Sequence, residues 1–168
     1  MPIAQPLRTK LRPADVDEIG NLVRMTGVFS SDEIATAREL AEENLARGPD
    51  GSGYHFLIAD GSQGIGGYTC FGPIPGTVRR FDLYWIAVHP QGQHARLGQR
   101  LLAATEAAVL AQGGVMLFAE TSTRADYAPA HRFYRGSGYD LLAEVPDWYD
   151  DGDGLAIFGK RLGRPAPA

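Results

Sequence analysis

The chain has 168 residues, 44% of them hydrophobic and 21% charged, and its formal net charge is −4 at pH 7. These values predict one globular domain, 1–168, with a substantial core and a frayed tail at 163–168. The modest negative charge argues against a nucleic-acid-binding protein. We find no apolar run long enough to span a membrane and no pattern typical of a signal peptide. We therefore expect a cytoplasmic protein that contacts neither nucleic acid nor membrane.

Hydrophobic periodicity predicts helices and strands along most of the chain. In chain order they are a strand at 7–12, helices at 14–26 and 30–47, strands at 54–59, 64–71 and 79–88, a helix at 97–112, a strand at 115–119, a helix at 128–136, and strands at 139–145 and 155–162. Ser30 and Glu33 have the spacing of a capping box, and Asp60-Gly61 is a strong hairpin signal. Hairpins mixed with a strand–helix–strand crossover predict an α/β fold with a mixed, mostly antiparallel, twisted sheet of about seven strands and helices on both faces.

The segment from Trp85 to Leu102 is the most informative part of the sequence. It has the pattern of a buried strand, a short turn with glycines and the start of an amphipathic helix. Unpaired backbone amides and the positive end of a helix dipole would then surround one small volume, which suits a phosphate group. Glycines alone do not establish this, because an ordinary strand-to-helix connection uses them equally well.

Three pieces of this segment, Val88-x-Pro90, Gln93-x-x-Arg96-x-Gly98 and Leu101-Leu102, resemble the acyl-coenzyme A loop of the GNAT superfamily of N-acyltransferases. The resemblance extends over roughly residues 80–162. It implies that acetyl-CoA is the co-substrate and that amides of the loop bind its pyrophosphate. The loop residues implied are Gln93, His94, Ala95, Arg96, Leu97, Gly98 and Gln99.

Arg96 departs from the family pattern, which usually has glycine at this position. Arginine does not adopt a positive φ as cheaply as glycine does. Either the backbone keeps a negative φ at Arg96, or the loop carries some strain there. We hypothesise that the guanidinium group reaches a phosphate of the coenzyme; the alternative is that it points to solvent and that coenzyme binding is weak or absent.

A second stretch, from His131 to Tyr139, resembles the family's helix-to-strand segment, with an aromatic-Tyr pair followed by glycine and an aromatic residue. In the family the tyrosine of this pair lies near the coenzyme sulfur and often acts as the general acid. The resemblance therefore implies this role for Tyr134, although aromatic pairs of this kind often only pack a helix. The family often has asparagine seven residues earlier, where this chain has Tyr127, which we place at the coenzyme.

The same resemblance implies how the donor thioester is held. Two parallel strands near 80–88 and 115–120 are expected to splay apart. The thioester would then pair with the backbone of the first strand, at Ile86, Ala87 and Val88.

A general base must take a proton from an ammonium substrate. Glu120 is the first candidate, because a carboxylate at the end of a buried strand can have a raised pKa. Asp82 and Tyr84 are alternatives. The residues predicted to contact the acceptor are Asp82, Tyr84, Trp148 and Tyr149.

Metal and covalent chemistry find little support in the sequence. The four histidines do not form a ligand pair on one helix, and Cys70 is the one cysteine, so no metal site, internal disulfide or thiolate cluster is expected. The acidic run from Asp147 to Asp153 lacks the regular spacing of a calcium loop. We expect a solvated hairpin loop there, or a negative rim that attracts a cationic amine.

The resemblance thus implies an N-acetyltransferase that moves an acetyl group from acetyl-CoA to a primary amine by direct transfer in a ternary complex. The partner would be a small-molecule or peptide amine, with a homodimer possible. Two rivals on the same fold are a non-catalytic acyl-CoA sensor and a partner-binding module.

Overall fold

The computed structural model describes residues 6–91 and 96–163. The helices are α1 (Asp15–Thr26), α2 (Ser31–Ser52), α3 (Leu97–Ala111) and α4 (Ala128–Gly136). The strands are β1 (His55–Gly61), β2 (Gly64–Pro73), β3 (Arg80–Val88), β4 (Met116–Ser122), β5 (Asp140–Asp150) and β6 (Asp153–Arg161). They form a six-stranded sheet in the order β1-β2-β3-β4-β6-β5, in which β3 and β4 are parallel and the β1–β2, β4–β6 and β5–β6 pairs are antiparallel. The predicted fold class is therefore confirmed, with six strands rather than about seven.

The predicted strand at 7–12 is wrong. Arg8 makes only an isolated antiparallel bridge with Ile58. Its guanidinium donates to Lys10 O at 2.8 Å, and also to Asp15 and Asp60 at 2.7 Å each. These bonds turn the chain toward α1, and Pro13 lacks the N–H that a strand ladder needs.

The first hairpin turns two residues later than predicted. β1 continues through Gly61, and the turn residues are Ser62 and Gln63 rather than Asp60-Gly61. The register shifts between Ala59 and Asp60. Because the Asp60 carboxylate is bound by Arg8, it stays within the strand instead of occupying the turn.

Helix α2 begins as predicted and ends later. The capping box at Ser30 and Glu33 is confirmed, with the Ser30 side chain accepting from Glu33 N at 3.2 Å. The helix passes through Gly48, whose φ of 72° is not helical, and resumes to Ser52. Glycine tolerates this conformation, so the predicted stop at Gly48 becomes a kink.

Contacts group the chain into two compact units. Unit 1 comprises Met1–Gly72 and Trp85–Thr105, and unit 2 comprises Pro73–Tyr84 and Glu106–Ala168. In unit 1, the hydroxyls of Thr69 on β2 and Thr105 on α3 share a buried hydrogen bond of 2.8 Å. A Cβ atom on Gly67 would lie 3.0 Å from Ala87 O and 3.0 Å from a Leu101 methyl group, so only glycine lets α3 approach this closely.

In unit 2, β6 lies between β4 and β5. Residues 116–120 of β4 alternate between buried and less buried, and those of β6 are mostly buried. All of β5 except half-buried Leu141 is exposed. The predicted hairpin is found, but its acidic loop is shorter than expected, because β5 extends to Asp150 and the connection to β6 is a two-residue turn. Asp147 has a φ of 53°, within an irregularity between the pairs Val145↔Leu155 and Asp150↔Asp153. Among the described residues, no helix is both long and apolar enough to cross a bilayer.

Candidate active site

Backbone hydrogen bonds are made at or beside both ends of β3. In unit 1, His89 N donates to Gly66 O at 2.8 Å. In unit 2, Ile74 N donates to Arg80 O at 2.9 Å.

The end of β3 is where the donor thioester was predicted to pair. Ala87 is buried, at 4% exposure, while Ile86 and Val88 are half-buried. The parallel ladder between β3 and β4 is registered from Arg80↔Met116 to Leu83↔Ala119, and β3 continues to Val88. The segment predicted to pair with the thioester therefore follows the stretch that pairs with β4.

Arg96 adopts the left-handed backbone conformation, with a φ of 54°. It precedes α3, and its carbonyl accepts from Arg100 N at 3.1 Å as the first helical bond. For a residue with a Cβ this conformation costs about 1–2 kcal/mol. Of the two alternatives derived from the sequence, the strained loop is the one found.

Other predicted loop residues are described only in part. Gln93, His94 and Ala95 lie outside the described residues. Arg96 and Gln99 are exposed, and Leu97 and Gly98 are half-buried. Amides in the first turn of α3 have no acceptor within the helix, which is the general property of a helix N-terminus.

Tyr134 lies in an aromatic cluster of unit 2. Its side chain is buried, at 6% exposure, and its ring centroid lies 5.5 Å from Phe133, 5.7 Å from Tyr139 and 5.5 Å from Phe158. Burial raises the pKa of the Tyr134 phenol above its ordinary value. The group therefore stays protonated through the neutral range. Phe158 was not predicted, since its sequence signal is only that of an apolar residue in the last strand.

The carboxylates of Asp82 and Glu120 interact electrostatically in unit 2. Burial is the main cause that raises the pKa of Asp82 to about 6, and the negative charge of Glu120 adds to it. Glu120 is exposed, so the burial on which its predicted role as base rested is found at Asp82 instead. Asp82 was predicted only as an alternative base and as an acceptor contact.

The remaining predicted residues differ in exposure. Tyr127 is buried, at 9% exposure, and the Arg124 guanidinium lies 5.2 Å from its ring centroid. Tyr84 is half-buried. Trp148 and Tyr149 on β5 are 59% and 49% exposed. No group of three His, Cys, Asp or Glu residues placed to hold a metal occurs among the described residues, and Cys70 is buried with its thiol pKa raised by burial.

Comparison with known proteins gives matches along most of the chain. Residues 52–141 match the acetyltransferase (GNAT) domain family. A solved structure assigned to GNAT-family acetyltransferases, from Desulfovibrio desulfuricans, is 39% identical and covers 94% of this chain and 98% of its own, with a TM-score of 0.90. A search of curated proteins returned no match.

More distant structures share the fold. An aminoglycoside 6'-N-acetyltransferase complexed with coenzyme A is 17% identical, covering 98% of this chain and 100% of its own, with a TM-score of 0.74. The ribosomal-protein-S18-alanine N-acetyltransferase of Escherichia coli is also 17% identical, covering 95% of each chain, with a TM-score of 0.74.

Proposed function

Since the chain belongs to the GNAT family of acyl-CoA-dependent acetyltransferases, we propose that it moves an acetyl group from acetyl-CoA to a primary amine by direct transfer in a ternary complex. The observation that carries this proposal is a pair of groups in unit 2. Tyr134 is a buried phenol that stays protonated, and Asp82 is a half-buried carboxylate whose pKa of about 6 suits a base near neutral pH. Tyr134 would supply a proton, and Asp82 would accept one.

Acetyl-CoA would be held along unit 1. The backbone of Ile86, Ala87 and Val88 would pair with the thioester arm, and the amides at the start of α3 would bind the pyrophosphate. Two features of the chain fit this use: the close approach of α3 at Gly67, and the exposed, left-handed Arg96 immediately before the helix. Backbone strain persists where the surroundings over-determine it, and such sites cluster at ligand clamps.

Two protein groups account for the proton transfers that accompany acetyl transfer. Asp82 takes a proton from the ammonium substrate, directly or through water, with Glu120 raising its basicity. The free amine attacks the thioester carbonyl carbon, the amide bond forms and the carbon–sulfur bond breaks. Tyr134 donates its proton to the departing thiolate, and the second proton of the amine nitrogen, released as the amide forms, returns to the Tyr134 phenolate through water. Most of the rate enhancement would come from positioning the two substrates and from backbone amides that polarise the carbonyl.

The acceptor is proposed only as a class. The aminoglycoside and ribosomal-protein enzymes that share this fold take very different amines. The exposed Trp148 and Tyr149 on β5, among the acidic residues Asp147 and Asp150, fit a cationic acceptor with an apolar part. A small molecule and a peptide both meet this description.

Thermal melting tests donor binding directly. Millimolar acetyl-CoA is expected to raise the melting temperature by several degrees, because a ligand at about 100 times its Kd stabilises the native state by about 2.7 kcal/mol. Coenzyme A should reproduce the shift and adenosine should not. A broad amine panel with a thiol-detecting assay then tests transfer. Binding without turnover over the whole panel would favour an acyl-CoA sensor, and no shift at all would favour a partner-binding module.

Two substitutions at Arg96 separate its backbone from its side chain. Arg96→Gly is expected to raise the free energy of unfolding by about 0.5–1 kcal/mol, because it relieves the left-handed penalty at some cost in chain entropy. Arg96→Ala keeps the penalty. Since both lack the guanidinium, each should weaken coenzyme A binding about tenfold in a calorimetric titration. Unchanged affinity in both variants would contradict the proposed phosphate contact.

A further inference from the structure

An ion pair in unit 2 joins three elements at the C-terminal end of α4. Lys160 Nζ on β6 donates to both carboxylate oxygens of Glu106 on α3 at 3.0 Å, and to Ser137 O at 3.0 Å. The two side chains are only 29% and 18% exposed. Tyr139 completes the group, since its hydroxyl donates to Glu106 at 3.1 Å and its ring centroid lies 5.6 Å from Lys160 Nζ.

Two residues of this cluster, Ser137 and Tyr139, contact Tyr134 directly. Ser137 N and Tyr139 N each donate to Tyr134 O at 3.0 Å. The Tyr139 ring contacts the Tyr134 ring at 5.7 Å. Phe158, whose ring stacks on Tyr134 at 5.5 Å, lies two residues before Lys160 on β6 and thus on the same face of the strand. Both the backbone and the ring of Tyr134 are therefore bounded by groups that Glu106 and Lys160 fix in place.

Helix α4 needs such an external support. It has nine residues, which is shorter than an isolated helix must be to form stably in water. A cation bonded to the carbonyl of its C-cap residue, Ser137, also complements the negative end of the helix dipole. The orientation of Tyr134, two residues before the helix ends, is then set by tertiary contacts rather than by the helix itself.

We propose that Glu106 and Lys160 are positioning residues that hold the Tyr134 phenol at the leaving sulfur of the donor. This inference rests on the proposed acetyl transfer, and neither residue touches a reacting atom. Displacement of a catalytic group by about 1 Å through a remote substitution can lower a rate by about 100-fold. The pair should therefore govern kcat rather than the binding of acetyl-CoA.

The test is a double-mutant cycle with Tyr134. Lys160→Met and Glu106→Gln are each made in the wild-type and in the Tyr134→Phe background, and kcat and the KM for acetyl-CoA are measured. In the wild-type background each should lower kcat about tenfold and change KM less than about twofold. In the Tyr134→Phe background neither should lower kcat further, because the phenol they position is already gone. Lys160→Arg, which keeps the charge and the donors, should retain most of the rate.

A matched control removes another part-buried ion pair. Arg8 pairs with Asp15 at 2.7 Å in unit 1, with side-chain exposures of 15% and 4%. Arg8→Met should lower the melting temperature but leave kcat nearly unchanged in both backgrounds.

A full tenfold loss from Lys160→Met in the Tyr134→Phe background would overturn the positioning role, as would a rise in KM without a fall in kcat. If Lys160→Met fails to fold, Glu106→Gln, which keeps the carboxylate's shape, decides by the same criterion. Absence of any acetyl transfer by the wild-type protein would overturn the proposed function, and this inference with it.

Discussion

Tyr134→Phe is expected to lower kcat about 100-fold while changing the KM for acetyl-CoA less than about threefold. The substitution removes one hydroxyl and keeps the ring that packs against Phe133, Tyr139 and Phe158. Loss of a general acid typically costs a factor of about 100 or more, equivalent to about 2.7 kcal/mol of transition-state stabilisation. Steady-state kinetics with a fixed amine and varied acetyl-CoA give both constants.

The raised pKa of the Tyr134 phenol does not weaken this expectation. A phenol is ordinarily a weaker acid than a thiol, so transfer of its proton to a thiolate in water would be uphill. Inside the protein, the burial that raises the pKa of Tyr134 also disfavours the charged thiolate formed beside it. The proton affinities of the two groups would therefore rise together, and the phenol would donate its proton as negative charge develops on sulfur.

Tyr68→Phe is the matched control for this experiment. Tyr68 lies on β2, is 1% exposed, and its hydroxyl has no hydrogen-bond partner in the described structure. Removing a buried, unpaired hydroxyl should raise the free energy of unfolding by about 1 kcal/mol and leave kcat unchanged. Equal losses of kcat in the two variants would point to general loosening of the fold, and would argue against a specific role for the Tyr134 hydroxyl.

Local patterns predicted the elements that carry the candidate site. The start of α3 at Leu97 and the extent of α4, 128–136, agree with the structure, because helical periodicity and end signals act over a few residues. The prediction of the first hairpin turn was wrong because a contact between residues distant in sequence determines this turn. Asp60 lies in a strong turn dipeptide, but a guanidinium from Arg8, 52 residues earlier, holds it in the strand.

The electrostatics of the site depend on the same kind of distant contact. No short pattern indicates that Asp82 is half-buried while Glu120 is exposed, because burial depends on packing by elements far apart in the chain. Glu106 and Lys160 are 54 residues apart and lie in unremarkable helical and strand patterns. Arg96 was predictable only in part. Its place in the loop pattern raised the question of a positive φ, and the structure answers it.

Asp82→Asn is expected to separate activity from stability. The variant should lose at least about 100-fold in kcat/KM, since an amide cannot accept the ammonium proton. It should also be more stable at neutral pH, because ionised Asp82 in its half-buried site opposes folding. A pKa of about 6 against the ordinary 3.8, reduced for partial exposure, corresponds to about 1 kcal/mol and a rise in melting temperature of about 3 °C.

The pH dependence of the same variant fixes the sign of this effect. The folded protein binds the Asp82 proton more tightly than the unfolded chain, so this group's contribution to stability falls as pH rises from about 4 through about 6. The stability gained by Asp82→Asn should therefore be full above pH 6 and vanish near pH 4. In the wild type, kcat/KM should rise with pH through about 6 as the base ionises, and this limb should be absent from the variant.

The substitution Glu120→Gln tests whether Asp82 or Glu120 is the general base. Its negative charge contributes to the raised pKa of Asp82, so removing it should move the acidic limb of kcat/KM to lower pH and leave the plateau rate within about threefold of wild type. If Glu120 were the base, the outcomes would exchange: Glu120→Gln would abolish transfer, and Asp82→Asn would only shift the limb. Because Tyr134 stays protonated in every variant, the acidic limb of these profiles reports the base alone. The position of this limb relates the burial of Asp82 on β3 to the pH at which the amine becomes a nucleophile.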